Sequence, residues 1–368
     1  MQKHRQMPVF LYKFYFFDKY IDKCGFCDIH RSMSMIKDFY EDTMDKICIS
    51  REYVRKLPYI MGFKTTHWCW YSCAHCLESC GPNMPKEYIP ADVIKGYINQ
   101  AIKDPKFGKE LIFTGGEIFS AYYNHDTKYV KELLDCGLSH GCGVDIKTNA
   151  GWATKTNKYR EQIICDLADV LTRYSPGKIN VSPLQISLSL DRYHADCINK
   201  NAQLISDLSR AQSNSTCMIH ISTFDKDMPM FAELIKKLNK DGNRITELEL
   251  VGGGNQIFYA INDRVLVYCS SAQLNKHGRA NNLEDAVPVE MPQFKFLTRD
   301  KRPQIIMAFD SFGNVMLGEN TGRKIHAPWR DRNKNPRDLP AIRRDLVRSA
   351  QYEDLRLYIR NLIPGLSK

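Results

Sequence analysis

From residue 59 the chain alternates short apolar runs with longer stretches whose apolar positions recur every three or four residues. The runs Tyr59–Thr66, Leu111–Phe113, Val144–Thr148, Leu184–Leu190, Cys217–Phe224 and Ile245–Val251 have the length and character of strands. Pro90 opens the first helical stretch, with Val93, Tyr97, Ile98 and Ile102 at helical spacing. Tyr129–Leu138 follows, then Tyr159–Tyr174 with Ile163, Ile164, Leu167 and Leu171 inward, then Cys197–Ala211 and Met228–Leu238. Six strands separated by helices predict parallel βα units. The expected fold is α/β, a partial (β/α)6 TIM-like barrel with its chemistry at the carboxyl ends of the strands.

The flanks read differently. Residues 1–57 mix aromatic and charged residues without a period and form an N-terminal extension to a core of residues 58–256. In the C-terminal region, 257–368, the turn Asp310-Ser311-Phe312-Gly313-Asn314 lies between two apolar runs and predicts a hairpin. Residues 339–363 have the pattern of an amphipathic helix, stopped by Pro364-Gly365.

Composition narrows the class. With 368 residues, 43% of them hydrophobic and 26% charged, the chain has the make-up of a folded globular protein rather than a disordered one. The longest apolar stretch, Met7–Phe17, is interrupted by Lys13 and is too short to span a bilayer. It is followed by Asp-Lys-Tyr-Ile-Asp-Lys instead of a small-residue cleavage site, so a cytoplasmic, non-membrane protein is expected. The 13 cysteines are odd in number and sit in a long chain, which argues against a disulfide framework. The net charge is +10, and residues 321–368 alone carry 12 Lys/Arg against 5 Asp/Glu. Such an end attracts an acidic partner or is simply a solvated helix face. No aromatic-rich binding module accompanies it, so nucleic acid is not the expected partner.

The strongest chemical signal is Cys69-Trp70-Tyr71-Ser72-Cys73-Ala74-His75-Cys76, directly after the first strand. Three soft thiolates within eight residues can occupy three corners of one iron–sulfur cluster. A structural zinc site would need a fourth ligand, which Cys80 or His75 can supply, and Cys73, Cys76 and Cys80 form a competing register.

The spacing Cys-x3-Cys-x2-Cys after the first strand of a six-fold βα chain resembles the radical S-adenosylmethionine (SAM) superfamily. The resemblance implies that Cys69, Cys73 and Cys76 ligate a [4Fe-4S] cluster whose fourth iron is left open to chelate SAM. It also implies an external electron donor such as flavodoxin or ferredoxin. His75 departs from the family, which usually has an aromatic residue there.

Thr114-Gly115-Gly116-Glu117, at the end of the second strand, is a weak signal alone. In this context it is similar to the family motif that holds the SAM amino group, which implies that role for the Gly115–Gly116 backbone and Glu117. Asn149, in Lys147-Thr148-Asn149, resembles a Thr-Asn pair common in the family. Ser187, Ser189 and Asp191 alternate onto one face of the fourth strand and suit the SAM hydroxyls and carboxylate. Thr223 ends the fifth strand. Gly252 and Gly253, after the expected sixth, resemble the glycine-containing segment near the adenine.

His277-Gly278-Arg279-Ala280 and the hairpin resemble the start of a C-terminal extension in the SPASM/twitch branch, whose members bind auxiliary clusters and commonly modify peptides. No cysteine follows Cys269, so that branch's C-terminal cluster cannot form here. Cys24, Cys27, Cys48 and Cys80 are candidates for another metal or for plain packing. One cluster suits a redox-neutral change such as epimerisation, which needs a hydrogen-donating thiol. Cys217 and Cys269 are the positional candidates. The expected substrate is a peptide or peptide-bound residue, with a small molecule as the alternative.

Overall fold

The computed structural model describes residues 57–154, 158–174, 183–211, 216–249, 257–276, 278–287, 305–317, 326–331 and 335–349. Within them lies one mixed sheet of eleven strands. They are β1 (Tyr59–Lys64), β2 (Phe107–Thr114), β3 (Gly143–Thr148), β4 (Leu184–Ser189), β5 (Cys217–Phe224), β6 (Ile245–Glu249), β7 (Ile257–Ile261), β8 (Val265–Ala272), β9 (Ile305–Asp310), β10 (Asn314–Leu317) and β11 (His326–Pro328). The helices used below are α1 (Ala91–Ala101), α2 (Tyr129–Ser139), α3 (Arg160–Tyr174), α4 (Cys197–Ala211), α5 (Pro229–Lys240) and α6 (Leu339–Ser349).

The strand order is β11-β10-β9-β1-β2-β3-β4-β5-β8-β7-β6. Strands β9 to β8 in that order are mutually parallel, and an antiparallel pair flanks them at each end. From β1 to β5 the order advances in one direction. Right-handed crossovers then place the connecting helices on the same face of the sheet. That face is apolar: Met61, Leu111, Val144 and Leu184 lie in one row, and Phe63, Phe113, Ile146, Ile186, Ile219 and Val267 in the next. Gly137 of α2 lets the helix approach closely. A Cβ there would meet Leu111 Cδ1 at 2.6 Å.

The opposite face carries the polar positions Thr114, Asp145, Lys147, Gln185, Ser187, His220 and Tyr268. Two faces of such different polarity follow from the period of two along each strand.

The sixth strand is where sequence and structure differ. Ile245–Glu249 is a strand, but it forms the sheet edge and pairs antiparallel with β7. The strand parallel to β5 is β8, which begins after the turn at Asn262 and Asp263, both at positive φ (50° and 57°). The left-handed turn reverses the chain and inserts two strands, so the run after α5 is displaced from β5. Strands β8 and β9 thus belong to the same sheet as β1 to β5.

The hairpin is present as β9–β10, with Gly313 at φ +100°. It docks on β1, where Phe63 and Phe309 stack at 5.0 Å. Trp329 Nε1 donates to the Asp310 carbonyl at 2.8 Å, and Tyr97 Oη of α1 donates to the Trp329 carbonyl at 2.9 Å. Part of the C-terminal positive charge is structural: Arg343 pairs with Asp104 at 2.5 Å, and Arg337 pairs with Asp345. In α1 the buried positions are Ile94, Tyr97, Ile98 and Ala101, one register from the expected Val93 and Ile102. No helix among the described residues is long and apolar enough to cross a membrane.

Candidate metal centre

The segment after β1 is clamped before it reaches the cysteines. Thr65 N donates to the Thr114 carbonyl at 2.9 Å, Gly116 N to Thr66 O at 2.7 Å, and Glu117 N to Trp68 O at 3.1 Å. Across the base of the loop, Cys69 N donates to the Gly81 carbonyl and Gly81 N to that of His67, both at 3.3 Å. The two glycines at the end of β2 are required by this approach. A Cβ on Gly116 would lie 2.0 Å from Trp68 O, and one on Gly115 (φ +119°) 2.4 Å from Thr66 O.

Cys69, Cys73 and Cys76 line one cavity of about 440 Å³, and Cys80 lines it too. Each of the three expected ligands has a hydrogen-bond donor on its sulfur. Asn149 Nδ2 donates to Cys69 Sγ at 3.3 Å and Tyr71 N at 3.4 Å, Cys80 N donates to Cys76 Sγ at 3.3 Å, and His194 bonds the Cys73 side chain. Donors of this kind stabilise thiolates. Burial nonetheless pushes the Cys69 thiol up to about 12, and the Glu117 charge adds to that, so a metal binding there displaces its proton. Cys76 is drawn down to about 6, chiefly by the hydrogen bond from the Cys80 side chain and by backbone N–H groups, against the effect of burial. Cys80 is shifted upward as the donor of that pair.

The opposite wall comes from the strand ends. Of the residues expected to hold a cofactor, Gly115, Gly116 and Asn149 line the cavity, as do Ser189, Asp191 and Thr223. Asp191 is 3% exposed and accepts from His194 Nδ1 at 2.9 Å and from Tyr193 N at 2.9 Å. Burial raises its carboxyl, but His194 and His75 outweigh this and the net direction is down. In return His194 rises to about 10: burial lowers it, while Asp191 and Cys73 hold its proton more strongly. His75 stacks on Tyr193 at 4.7 Å and so takes up the packing role of an aromatic ring. Burial lowers it to about 4, helped by His194 and Arg279 and opposed by Asp191, so it is neutral. Thr223 Oγ1 donates to the Leu190 carbonyl.

Other expected residues lie elsewhere. The Glu117 carboxylate is fully buried and turned away, accepting from Phe119 N at 3.2 Å, Thr148 Oγ1 at 2.9 Å and Asn149 N at 3.0 Å. It holds the β3 end that carries Asn149. Ser187 lies deeper on the sheet, bonded to Asp145 and His220. Cys217 and Cys269 alternate with Ile219 and Ile221 in the apolar rows, so neither thiol faces the cavity. The strand period puts both on the face shared with Ile219 and Ile221. Gly252, Gly253, Cys24, Cys27 and Cys48 lie outside the described residues.

One contributor stands in a motif that the sequence reading ties to the C-terminal extension and not to the cysteine loop. Arg279 Nε donates to the Cys73 carbonyl at 2.8 Å, and its guanidinium reaches the Cys80 carbonyl at 2.5 Å. Gly278 beside it has φ +55°, and a Cβ there would lie 2.2 Å from Leu77 O.

No protein-family model matches the chain, and no curated protein matches it. Among solved structures, SuiB from Streptococcus suis is 11% identical, with a TM-score of 0.40 over 83% of this chain and 71% of that one. SuiB bound to its precursor peptide SuiA is 10% identical, with a TM-score of 0.40 over 97% and 78%. anSMEcpe with bound AdoMet is 11% identical, with a TM-score of 0.33 over 50% and 49%. Likeness at this level assigns neither ligand nor reaction to this chain.

Proposed function

We propose that this protein is a radical SAM enzyme acting on a peptide or a peptide-bound residue. The observation that carries the reading is the convergence of Cys69, Cys73 and Cys76 on one cavity whose far wall is built from strand ends. The residues suit the group: three soft ligands on one loop, each sulfur facing a hydrogen-bond donor, beside a wall of backbone and hydroxyl groups. Held by Cys69, Cys73 and Cys76, a [4Fe-4S] cluster would supply the electron for reductive cleavage of SAM, and with it the radical chemistry that removes hydrogen from a substrate. The protein's own part is to hold and orient. Cys69, Cys73 and Cys76 ligate, and the Gly115–Gly116 backbone, Asn149, Ser189 and Asp191 position SAM. His194 anchors Asp191 and Cys73 together.

The excess positive charge of the C-terminal end and the hairpin beside the cysteine loop support a peptide substrate. A single cluster supports a redox-neutral change. The electron comes from an external donor such as flavodoxin or ferredoxin, in the cytoplasm.

A second reading is favoured by one observation. Cys80 lines the same cavity and hydrogen-bonds Cys76, so four thiols are available to a structural zinc. Anaerobic reconstitution separates the two. The first reading expects a brown protein with about four irons that forms 5′-deoxyadenosine from SAM and reductant. A colourless protein holding one zinc overturns it.

A further inference from the structure

Below the cavity, the polar face of the sheet carries a hydrogen-bond network that the metal centre does not use. Ser189 and Ser222, which line the cavity, share a rung with Ser270 across β4, β5 and β8. Two residues toward the amino ends, about 7 Å lower along the strands, a second rung holds Lys147, Ser187, His220 and Tyr268.

The direction of each bond in this network follows from which groups can donate. Ser187 Oγ donates its one proton to Asp145 Oδ1 at 2.6 Å. Its contact with His220 Nδ1 at 3.1 Å therefore has the imidazole as donor. In a neutral ring Nε2 is then the acceptor, and it takes the Ser270 hydroxyl proton at 2.6 Å. A second arm runs the same way: Tyr268 Oη donates to Gln185 Oε1 at 2.7 Å, and Gln185 Nε2 donates to Ser187 Oγ at 3.3 Å. Both arms end on the Asp145 carboxylate. Ser270 and Tyr268 have spent their protons inward and present oxygens that can only accept. Ser270 is exposed.

We propose that this relay is a substrate-binding patch adjoining the cavity beside Ser222, at which Ser270 accepts a hydrogen bond from a neutral N–H or O–H donor such as a peptide amide. This rests on the reading of the cavity as the place of reaction. Ser270 accepts that hydrogen bond because its own proton is committed to His220 Nε2, and the His220 Nδ1–H stays on Ser187, facing Asp145. The charged groups around His220 are Asp145 and Lys147, both on β3, and their opposite signs favour a neutral ligand over an ion. Burial, with Lys147, lowers His220 against the pull of Asp145, which keeps the ring neutral with Nε2 as acceptor of the Ser270 hydroxyl. Tyr268, stacked on His220 at 4.8 Å, is pushed up to about 12 by burial and by Asp145, and it keeps its proton.

The test is nitrogen NMR on histidine-labelled protein, with the His220 signals assigned by His220→Gln. The expected result at neutral pH is the Nδ1–H tautomer, half-titrating below the ordinary histidine value and lower still in Asp145→Asn. An Nε2–H tautomer, or a rise in Asp145→Asn, overturns the relay. N-acetylalaninamide should shift the Nε2 signal and acetate should not, and the exposed-site variant Ser270→Ala should abolish the response. Acetate shifting it equally refutes the donor-binding role. These readouts need no cluster. A wild-type protein that shows them yet cleaves no SAM after reconstitution leaves the relay standing and sinks the cofactor reading instead.

Discussion

Arg279 and Cys73 are 206 residues apart in the chain, yet the Arg279 guanidinium donates to the Cys73 carbonyl at 2.8 Å. The same side chain holds the Cys80 carbonyl, so one residue from beyond β8 bridges both ends of the cysteine loop. Arg279→Ala leaves these carbonyls without that donor. Removing charged hydrogen bonds of this kind costs about 1–3 kcal/mol, which a denaturant midpoint will show. The loop should also open, so Cys69 and Cys73 in metal-free protein should be alkylated faster. Arg279→Lys, a point charge, should restore only part. Unchanged alkylation in Arg279→Ala would mean that the loop holds itself.

Two glycines should respond in opposite directions. Gly116→Ala drives a Cβ to 2.0 Å from the Trp68 carbonyl, and backbone must move. A loss of more than about 3 kcal/mol, or failure to fold, is expected. Gly96, inside α1, has nothing within 4 Å of an added Cβ. Gly96→Ala should stabilise the protein by about 0.5–1 kcal/mol through helix propensity. Thermal melts of both variants check the pair.

Glu117 gives a stability change with a definite sign. Burial raises it from 4.5 to about 7, against the bonds from Asn149, Thr148 and Phe119. Below pH 4.5 the carboxyl is protonated in folded and unfolded chains alike. Between 4.5 and 7 the unfolded chain loses the proton and the folded one keeps it, so stability falls as pH rises and levels above 7. The drop is on the order of 3 kcal/mol. In Glu117→Gln this contribution should vanish. Identical slopes for the two proteins across that window would count against it.

Cys76 should react well before Cys69 in metal-free protein, because its thiol is lowered to about 6 while that of Cys69 is raised to about 12. The Cys76 alkylation rate should reach half its plateau at about pH 6. Cys80→Ala removes the largest cause, so the midpoint should move upward. The same variant separates the metal readings. With three ligands sufficient, iron loading survives it, whereas a four-thiol zinc site loses affinity. Retained zinc with no iron in Cys80→Ala would contradict both.

Much of the architecture was legible because it rests on local periodicity. The apolar runs that became β1 to β5, the helices between them and the Asp310–Asn314 turn all announce themselves within a few residues. Strand β8 was missed although Val265–Ala272 is a good strand. The chain offers no local mark that a β7–β8 hairpin would insert beside β5. Cys217 and Cys269 show the same limit. Alternation tells that they share a face with Ile219 and Ile221, but the helices decide that this face is the dry one.

The sequence by itself determined the cysteine spacing, its place after the first strand and the glycines that let β2 meet that loop. Covalent order and steric allowance are local properties. Tertiary structure alone decided that Cys80 shares a cavity with Cys69, Cys73 and Cys76, that Asn149, His194 and Arg279 reach the loop and that Glu117 turns inward. It also joined Asp145 to Ser270 through His220. Each of these depends on side chains from distant strands meeting at hydrogen-bond distance, a relationship that the packing of the whole sheet creates.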